Sequence, residues 1–399
     1  MPEVDDLIRV VEARFKHYQT LRMFGEVVDE LKNRGFGPIA EAKASKLMQT
    51  AAELGVFQYS TSRVGTGLDD ILARRLEQQF EKLDRAIVVR IPPPENGYIP
   101  EVLAQEMAKD ILTTISGNNR VPYNLGIHDM LAREMAKHVL SSLRDGDRIG
   151  FGSGRGPFMT SFHIGNKTAG MFTKPLRNFK KIMLQSLTGR VSMGGMIPPD
   201  GTFMDADDSL GHFARICASP TLKFVNVNIS LKEANGFFDT LAPDLSLDSW
   251  QVDGHLDQAL VGVGVMGPDH RFFAKPMPKE LEYIKNEIEE LEQILEEDEG
   301  SSLVGDLCNK MFIIEDENTS SDTKRLNDLL STINQRLICI DDKHFKRINE
   351  VRLIAGGIEK ARVIRHILKN KPLNRITLCT DADCAGKILA LEGAKVGGY

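Results

Sequence analysis

The sequence predicts an α/β fold whose core is a parallel sheet, with a small helical region ahead of it. Two observations carry this. From about residue 126 onward, short apolar runs alternate with helical patterns, the alternation of a parallel sheet and its crossover helices. Most of those runs are followed by Gly, Asp or Thr. The densest glycine cluster, Gly150-Phe151-Gly152-Ser153-Gly154-Arg155-Gly156-Pro157, stands between one such run and a helix start.

The elements follow in order. Residues 4–54 read as helical, with Leu7, Val10, Val11, Phe15 and Tyr18 at helical spacing. Gly35-Phe36-Gly37-Pro38 breaks the pattern, and Pro38 suits the first turn of the helix over 39–54. Val56-Phe57-Gln58-Tyr59 has strand-like residues. Helix, breaker, helix and short strand outline a winged helix-turn-helix, and equally a small helical bundle. An amphipathic helix is predicted over 68–83 and a buried strand over 86–90, before Pro92-Pro93-Pro94 forces an extended stretch. A helix over 127–143, a turn at Asp145-Gly146-Asp147 and a strand over 148–152 lead to the glycine cluster. Further strands are expected at 181–187, 222–227, 258–263, 351–354 and 375–378.

With 399 residues the chain has room for two or three domains. Its formal net charge is −6, but the charge is uneven. Residues 279–299 hold ten acidic and two basic residues, leaving 48 basic against 46 acidic elsewhere. Leu281, Ile284, Ile288, Leu291 and Leu295 give that acidic segment an a/d stripe. It is expected to be a solvated amphipathic helix packed on the domain, with a partner helix as the sharper alternative. No apolar run reaches the 18–20 residues or so of a membrane helix. The acidic start Met1-Pro2-Glu3-Val4-Asp5-Asp6 lacks an apolar signal-peptide core. Five sparse cysteines fit free thiols in a reducing compartment, and Cys379 and Cys384 read as small apolar fillers near a strand end. The expected protein is cytoplasmic and off the membrane.

Chemistry is expected where strand ends meet helix starts. The glycine cluster lets backbone N–H groups approach an anion, and Arg155 can clamp a phosphate. Further loops are Thr188-Gly189-Arg190, Gly262-Val263-Gly264, Gly356-Gly357-Ile358-Glu359-Lys360 and Thr380-Asp381-Ala382-Asp383. Lys360 in a first helical turn opposes the helix dipole unless an anion compensates it. Thr380 and Asp381 read as an N-cap. In an open α/β sheet such loops converge on one crevice, a mixture suited to a polyhydroxylated, phosphorylated small molecule. The cluster at 150–156 lacks the strict Gly-x-Gly-x-x-Gly fingerprint because its glycines alternate, and Gly-x-Ser-x-Gly, His-Glu-x-x-His and the P-loop are missing from the sequence. His128, His138 and His163 are expected on helix surfaces or satisfied. No cofactor, metal or catalytic residue is expected.

Several motifs, in order from about Leu68 to the C-terminus, resemble the SorC/DeoR-type sugar-binding domain of bacterial transcriptional regulators. They are Leu83-Asp84-Arg85-Ala86-Ile87-Val88-Val89, Asn124-Leu125-Gly126-Ile127, Asp145-Gly146-Asp147-Arg148-Ile149-Gly150 and Ser153-Gly154-Arg155-Gly156. Leu260-Val261-Gly262-Val263-Gly264, Val304-Gly305-Asp306-Leu307, Ala355-Gly356-Gly357-Ile358-Glu359-Lys360-Ala361 and Thr380-Asp381 follow. The resemblance implies a Rossmann-like fold related to sugar-phosphate isomerases, with domains 1–66 (helix-turn-helix-like) and 67–399 (effector-binding). It implies a transcriptional regulator, not an enzyme, whose phosphorylated sugar effector modulates DNA binding by a homodimer or homotetramer. Effector contacts are then Ser153, Gly154, Arg155, Gly156, Gln185, Gly189, Arg190, Gly262, Asp306, Lys360 and Asp381. Residues 44–56 resemble a recognition helix, which makes Lys43, Ser45, Lys46 and Gln49 the DNA contacts. Gly156 departs from the family pattern, which has Thr there. Alternatives are a sugar-phosphate-binding protein acting through protein partners, and an isomerase-like enzyme.

Overall fold

The structure, a computed structural model, describes residues 67–92, 94, 96–99, 121–166, 179–188, 190–192, 206–223, 226–228, 256–266, 284–297, 303–314, 323–337, 339–340 and 342–393. The expected helix-turn-helix-like region 1–66, with Lys43, Ser45, Lys46 and Gln49, lies outside the described residues, and so does Gly189.

A short strand β1 (Gly67–Leu68) enters α1 (Asp70–Gln79), which starts at the N-cap Asp69, whose carboxylate accepts the Leu72 N–H at 3.0 Å. Strand β2 (Leu83–Arg90) and helix α2 (Tyr123–Ser142) follow. Then come β3 (Arg148–Phe151), α3 (Arg155–Asn166), β4 (Phe179–Ser186), β5 (Arg190–Ser192), α4 (Ala206–Ala214), β6 (Cys217–Lys223), β7 (Asn226–Asn228) and β8 (Gln258–Met266). The last part holds α5 (Lys285–Glu297), β9 (Leu303–Leu307), β10 (Lys310–Ile314), α6 (Thr323–Arg336), α7 (Asp342–Phe345) and β11 (Glu350–Ile354). A 3-10 turn, Ile358–Lys360, opens α8 (Ala361–Asn370), and β12 (Arg375–Asp381) runs into α9 (Ala382–Leu391).

The main sheet has the order β1-β2-β12-β11-β8-β3-β4-β6. From β2 to β6 every neighbouring pair is parallel. The chain builds outward from β3 through β4 to β6, then returns to lay β8 on the other side of β3 and continues to β11 and β12. Strand order therefore reverses between β3 and β8, the switch point at which open α/β sheets form a crevice at the carboxyl ends of their strands.

Alternate strand residues serve opposite faces of the sheet. Val88, Leu378, Leu353 and Val261 join Leu72 and Leu76 of α1, Ile364 and Ile367 of α8 and Ile388 of α9 in one buried cluster. Cys379 instead faces α2, its thiol donating to the Leu131 carbonyl. A side chain such as Leu76 or Ile364, with no exposed surface, contributes about 1.5–3 kcal/mol by leaving water. Cys379 and Cys384 are free and buried in this packing.

The alternating pattern predicts only parallel strands, but β9 and β10 form an antiparallel hairpin along the carboxyl half of β8. Its two-residue turn, Cys308-Asn309, has φ of 53° and 63°, the left-handed pair whose twist suits a tight hairpin. The acidic helix α5 packs on this hairpin and on α6. Ile284, Ile288, Leu291, Ile294 and Leu295 are buried with Val304, Met311, Leu326 and Ile333. Its outward carboxylates meet α6 through Glu287–Arg336 and Glu290–Arg325.

Candidate functional site

The crevice between β3 and β8 receives four of the predicted loops. Its first wall is the turn between β3 and α3. Gly154 has φ of 112°, which side-chain-bearing residues rarely adopt, so the chain reverses sharply there and α3 begins at Arg155. Gly156 has a different reason to be glycine. A Cβ at this position would lie 2.9 Å from the Ile354 carbonyl oxygen and 3.0 Å from the Ile354 Cβ. The first turn of α3 thus rests directly on the end of β11, and a threonine has no room. Packing against β11 accounts for glycine at this position. Gly262 on β8 sits below the same turn, with the Ser153 carbonyl oxygen and the Pro157 ring in ordinary van der Waals range of where a Cβ would stand.

The second wall is the β9–β10 hairpin. Asp306 pairs with Gly264 of β8 and is buried. Its carboxylate accepts the Asn309 N–H at 3.1 Å. Asn309 in turn accepts from the Ser153 hydroxyl at 2.6 Å, tying the hairpin turn to the glycine turn. Burial pushes the Asp306 carboxyl up to about 7, against the pull of the Asn309 N–H and the Lys360 ammonium.

The third wall follows β11. Gly356 packs against Ile127 and Leu131 of α2, and the Gly357 N–H donates to Asp381 Oδ2 at 2.6 Å. The other oxygen of Asp381 accepts the Cys384 N–H at 2.9 Å and so caps α9. Both carboxylate oxygens are engaged by backbone. Asp381 fixes the loop that carries Lys360. Lys360 stands at the N-cap of α8, half-buried. Its ammonium is held below the usual lysine range by burial and by Arg155, despite Glu359 and Asp306. Arg155 lies at the exposed mouth, yet the surrounding protein removes enough water to lower its guanidinium too.

Arg155, Asp306 and Lys360 thus come from three distant stretches of chain, and Lys360 feels the charge of both others. Gln185 lies one strand away, near the end of β4 opposite Gly150 of β3, buried with its Oε1 unpartnered. Arg190 falls on β5, which pairs with β7 in a separate two-stranded sheet, so it belongs to a different element from the crevice walls.

Two of the three histidines are satisfied, as the sequence suggests, and one is not. His163 is fully buried and bonds Asp129 at 2.7 Å. His138 lies 3.8 Å from Glu350. His128 is neither on the surface nor satisfied: it is 9% exposed and its Nδ1 has no hydrogen-bond partner. Burial, then Lys360 and Arg155, hold its pKa well below the usual imidazole range, so it is neutral beside the crevice. The signal was its position in the inward stripe of Leu125, His128, Leu131 and Met135, where every other residue is apolar. Asn309 gave no sequence signal, since its role depends on the hairpin. Among the described residues no cluster of His, Cys, Asp and Glu suits a metal ion, and no helix is long and apolar enough to cross a membrane.

No protein-family model matches the sequence, and no curated protein matches it either. Solved structures do. The domain assigned to sugar binding in a transcriptional repressor from Vibrio fischeri matches with a TM-score of 0.51 at 15% identity, covering 82% of this chain and 100% of that one. The chain has the fold of that domain. The full-length sorbitol operon regulator SorC from Klebsiella pneumoniae is similar over 96% of this chain and 99% of its own, at 17% identity and a TM-score of 0.46. A DeoR-family transcriptional regulator from Listeria monocytogenes is similar over 80% and 99%, at 16% identity and 0.48. SorC- and DeoR-type regulators and their sugar-binding domains are thus the solved structures to which this chain is similar.

Proposed function

We propose that the chain is a transcriptional regulator whose domain 67–399 binds a phosphorylated sugar in the crevice between β3 and β8. One observation carries the reading. Two cations, Arg155 and Lys360, stand at the starts of two helices near the point where the strand order reverses, and burial disfavours the charge of both. A phosphate ester would compensate them, and the helix N-termini favour it further. Ser153, Gln185 and Asp306 offer hydrogen bonds to hydroxyl groups. In this reading the ligand is an effector and not a substrate. The fold it shares with a repressor's sugar-binding domain supports the regulatory half of the reading.

In this reading Lys43, Ser45, Lys46 and Gln49 contact DNA, and the protein is a cytoplasmic homodimer or homotetramer. The effector binds one arrangement of subunits better and DNA the other, so each shifts the population of the other. The second reading, a sugar-phosphate-binding protein acting through protein partners, is favoured by one observation. Residues 1–60 hold eight basic and nine acidic residues, few cations for phosphate contacts. A mobility-shift assay on DNA upstream of the chain's own gene, at 50 and 150 mM salt, separates the two. A shift that sugar phosphates modulate supports the regulator. A folded protein giving no shift under any condition transfers the assignment to the second reading.

A further inference from the structure

Charge alone holds a phosphate but does not distinguish one sugar from another. Selectivity needs a buried polar group that a ligand hydroxyl satisfies and that is left unpaired without it. His128 is such a group. It is carried on the first half of α2, whose neighbouring residues Ile127 and Leu131 pack on Gly356 of the loop that leads to Lys360. It is more than nine-tenths buried, its Nδ1 is unpartnered, and Lys360 and Arg155 are the charges it feels most. A neutral imidazole presents one N–H donor and one acceptor lone pair. In either tautomer Nδ1 can bond a hydroxyl, which both donates and accepts, whereas a phosphate dianion, which only accepts, serves the Nδ1–H tautomer alone.

We infer that His128 is a specificity-determining residue of this crevice, bonding a hydroxyl of the sugar whose phosphate lies between Arg155 and Lys360. The inference rests on the proposed effector site and names a residue and a role that the site's cations do not supply.

The test compares inorganic phosphate with glucose 6-phosphate, fructose 6-phosphate and ribose 5-phosphate on the full chain, by calorimetric titration and thermal shift. For the wild type, at least one ester binds about tenfold or more tighter than inorganic phosphate, the increment expected of one well-made hydrogen bond to a buried group. His128→Phe removes that increment and leaves the affinity for inorganic phosphate unchanged. His128→Gln, which keeps a donor and an acceptor, restores part of it, and His128→Leu serves in place of the Phe variant if that variant does not fold. An ester preference that survives both substitutions overturns the role of His128 while leaving the Arg155–Lys360 site standing. Equal weakening of phosphate and ester places His128 at the anion end and overturns its role in selectivity. A wild type that binds neither phosphate nor ester removes the site itself, and His128 with it.

Discussion

Asp381 Oδ2 accepts the Gly357 N–H at 2.6 Å while Oδ1 caps α9 at the Cys384 N–H, so one carboxylate at the end of β12 positions the neighbouring loop on β11. The loop in turn presents Lys360. A short side chain thereby links the packing of α9 to the charge of the crevice. Asp381→Ala is expected to cost about 1–2 kcal/mol from the lost cap, with a further loss from the freed Gly357 N–H. Chemical denaturation measures the first. A weakened response to phosphate ligands, measured by titration, reports the displaced Lys360.

Arg155 and Lys360 are expected to act together on an anion. A ligand at one hundred times its Kd raises stability by about 2.7 kcal/mol, a clear shift in melting temperature. Arg155→Ala and Lys360→Ala each reduce the shift produced by the best sugar phosphate at fixed concentration. Neither destabilises the ligand-free protein much, since burial already disfavours both charged forms there. A shift that survives in both variants rejects the assigned site.

Gly156 admits no side chain against the Ile354 carbonyl. Gly156→Thr supplies a hydroxyl to the crevice but forces α3 away from β11. It is expected to destabilise by about 1–3 kcal/mol, the usual cost of overpacking, and to weaken sugar-phosphate binding. Denaturant unfolding and titration of the same sample check both.

Asp306 gives the protein a pH dependence of definite sign. Its folded carboxyl titrates at about 7, above its unfolded value, so its contribution is full in acid and is lost as pH rises from about 4 through 7. Asp306→Asn removes that loss. The stability difference, variant minus wild type, therefore shifts toward the variant over this interval, by an amount on the order of a few kcal/mol. Unfolding curves at pH 5, 6, 7 and 8 measure it.

Toward the amino end of the central strand β11, Arg352 is the largest fully buried side chain among the described residues. Its guanidinium bonds Glu350 Oε1 at 3.2 Å, Glu350 Oε2 at 3.1 Å and the Ser142 hydroxyl at 2.8 Å, and Thr377 donates to Glu350 at 2.7 Å. Burial raises the Glu350 carboxyl, but His138, Arg352 and Thr377 outweigh it and leave the pKa well below the usual range. The pair's contribution is therefore complete above about pH 5 and fades as pH falls. Arg352→Met strands Glu350 and is expected to cost about 3–5 kcal/mol at pH 7. The cost shrinks at pH 4, as parallel unfolding curves at the two pH values would report.

What the sequence determined by itself is local. Apolar runs such as 258–263 and 375–378 mark strands, because burial on both faces demands continuous hydrophobicity. Gly154 and the Thr380-Asp381 cap mark where those strands turn into helices, because φ above zero and unpaired helical N–H groups impose residue types directly. Tertiary structure decided everything that depends on residues far apart in the chain. Asp306 became a wall of the crevice because β9 adds antiparallel to β8, a pairing no local pattern announces. Gly156 is glycine because β11 lies 200 residues away in sequence and touches it in space. His128 looked like one histidine among nine. Only the sheet beneath α2, with Lys360 and Arg155 at its edge, made it a buried imidazole without a partner.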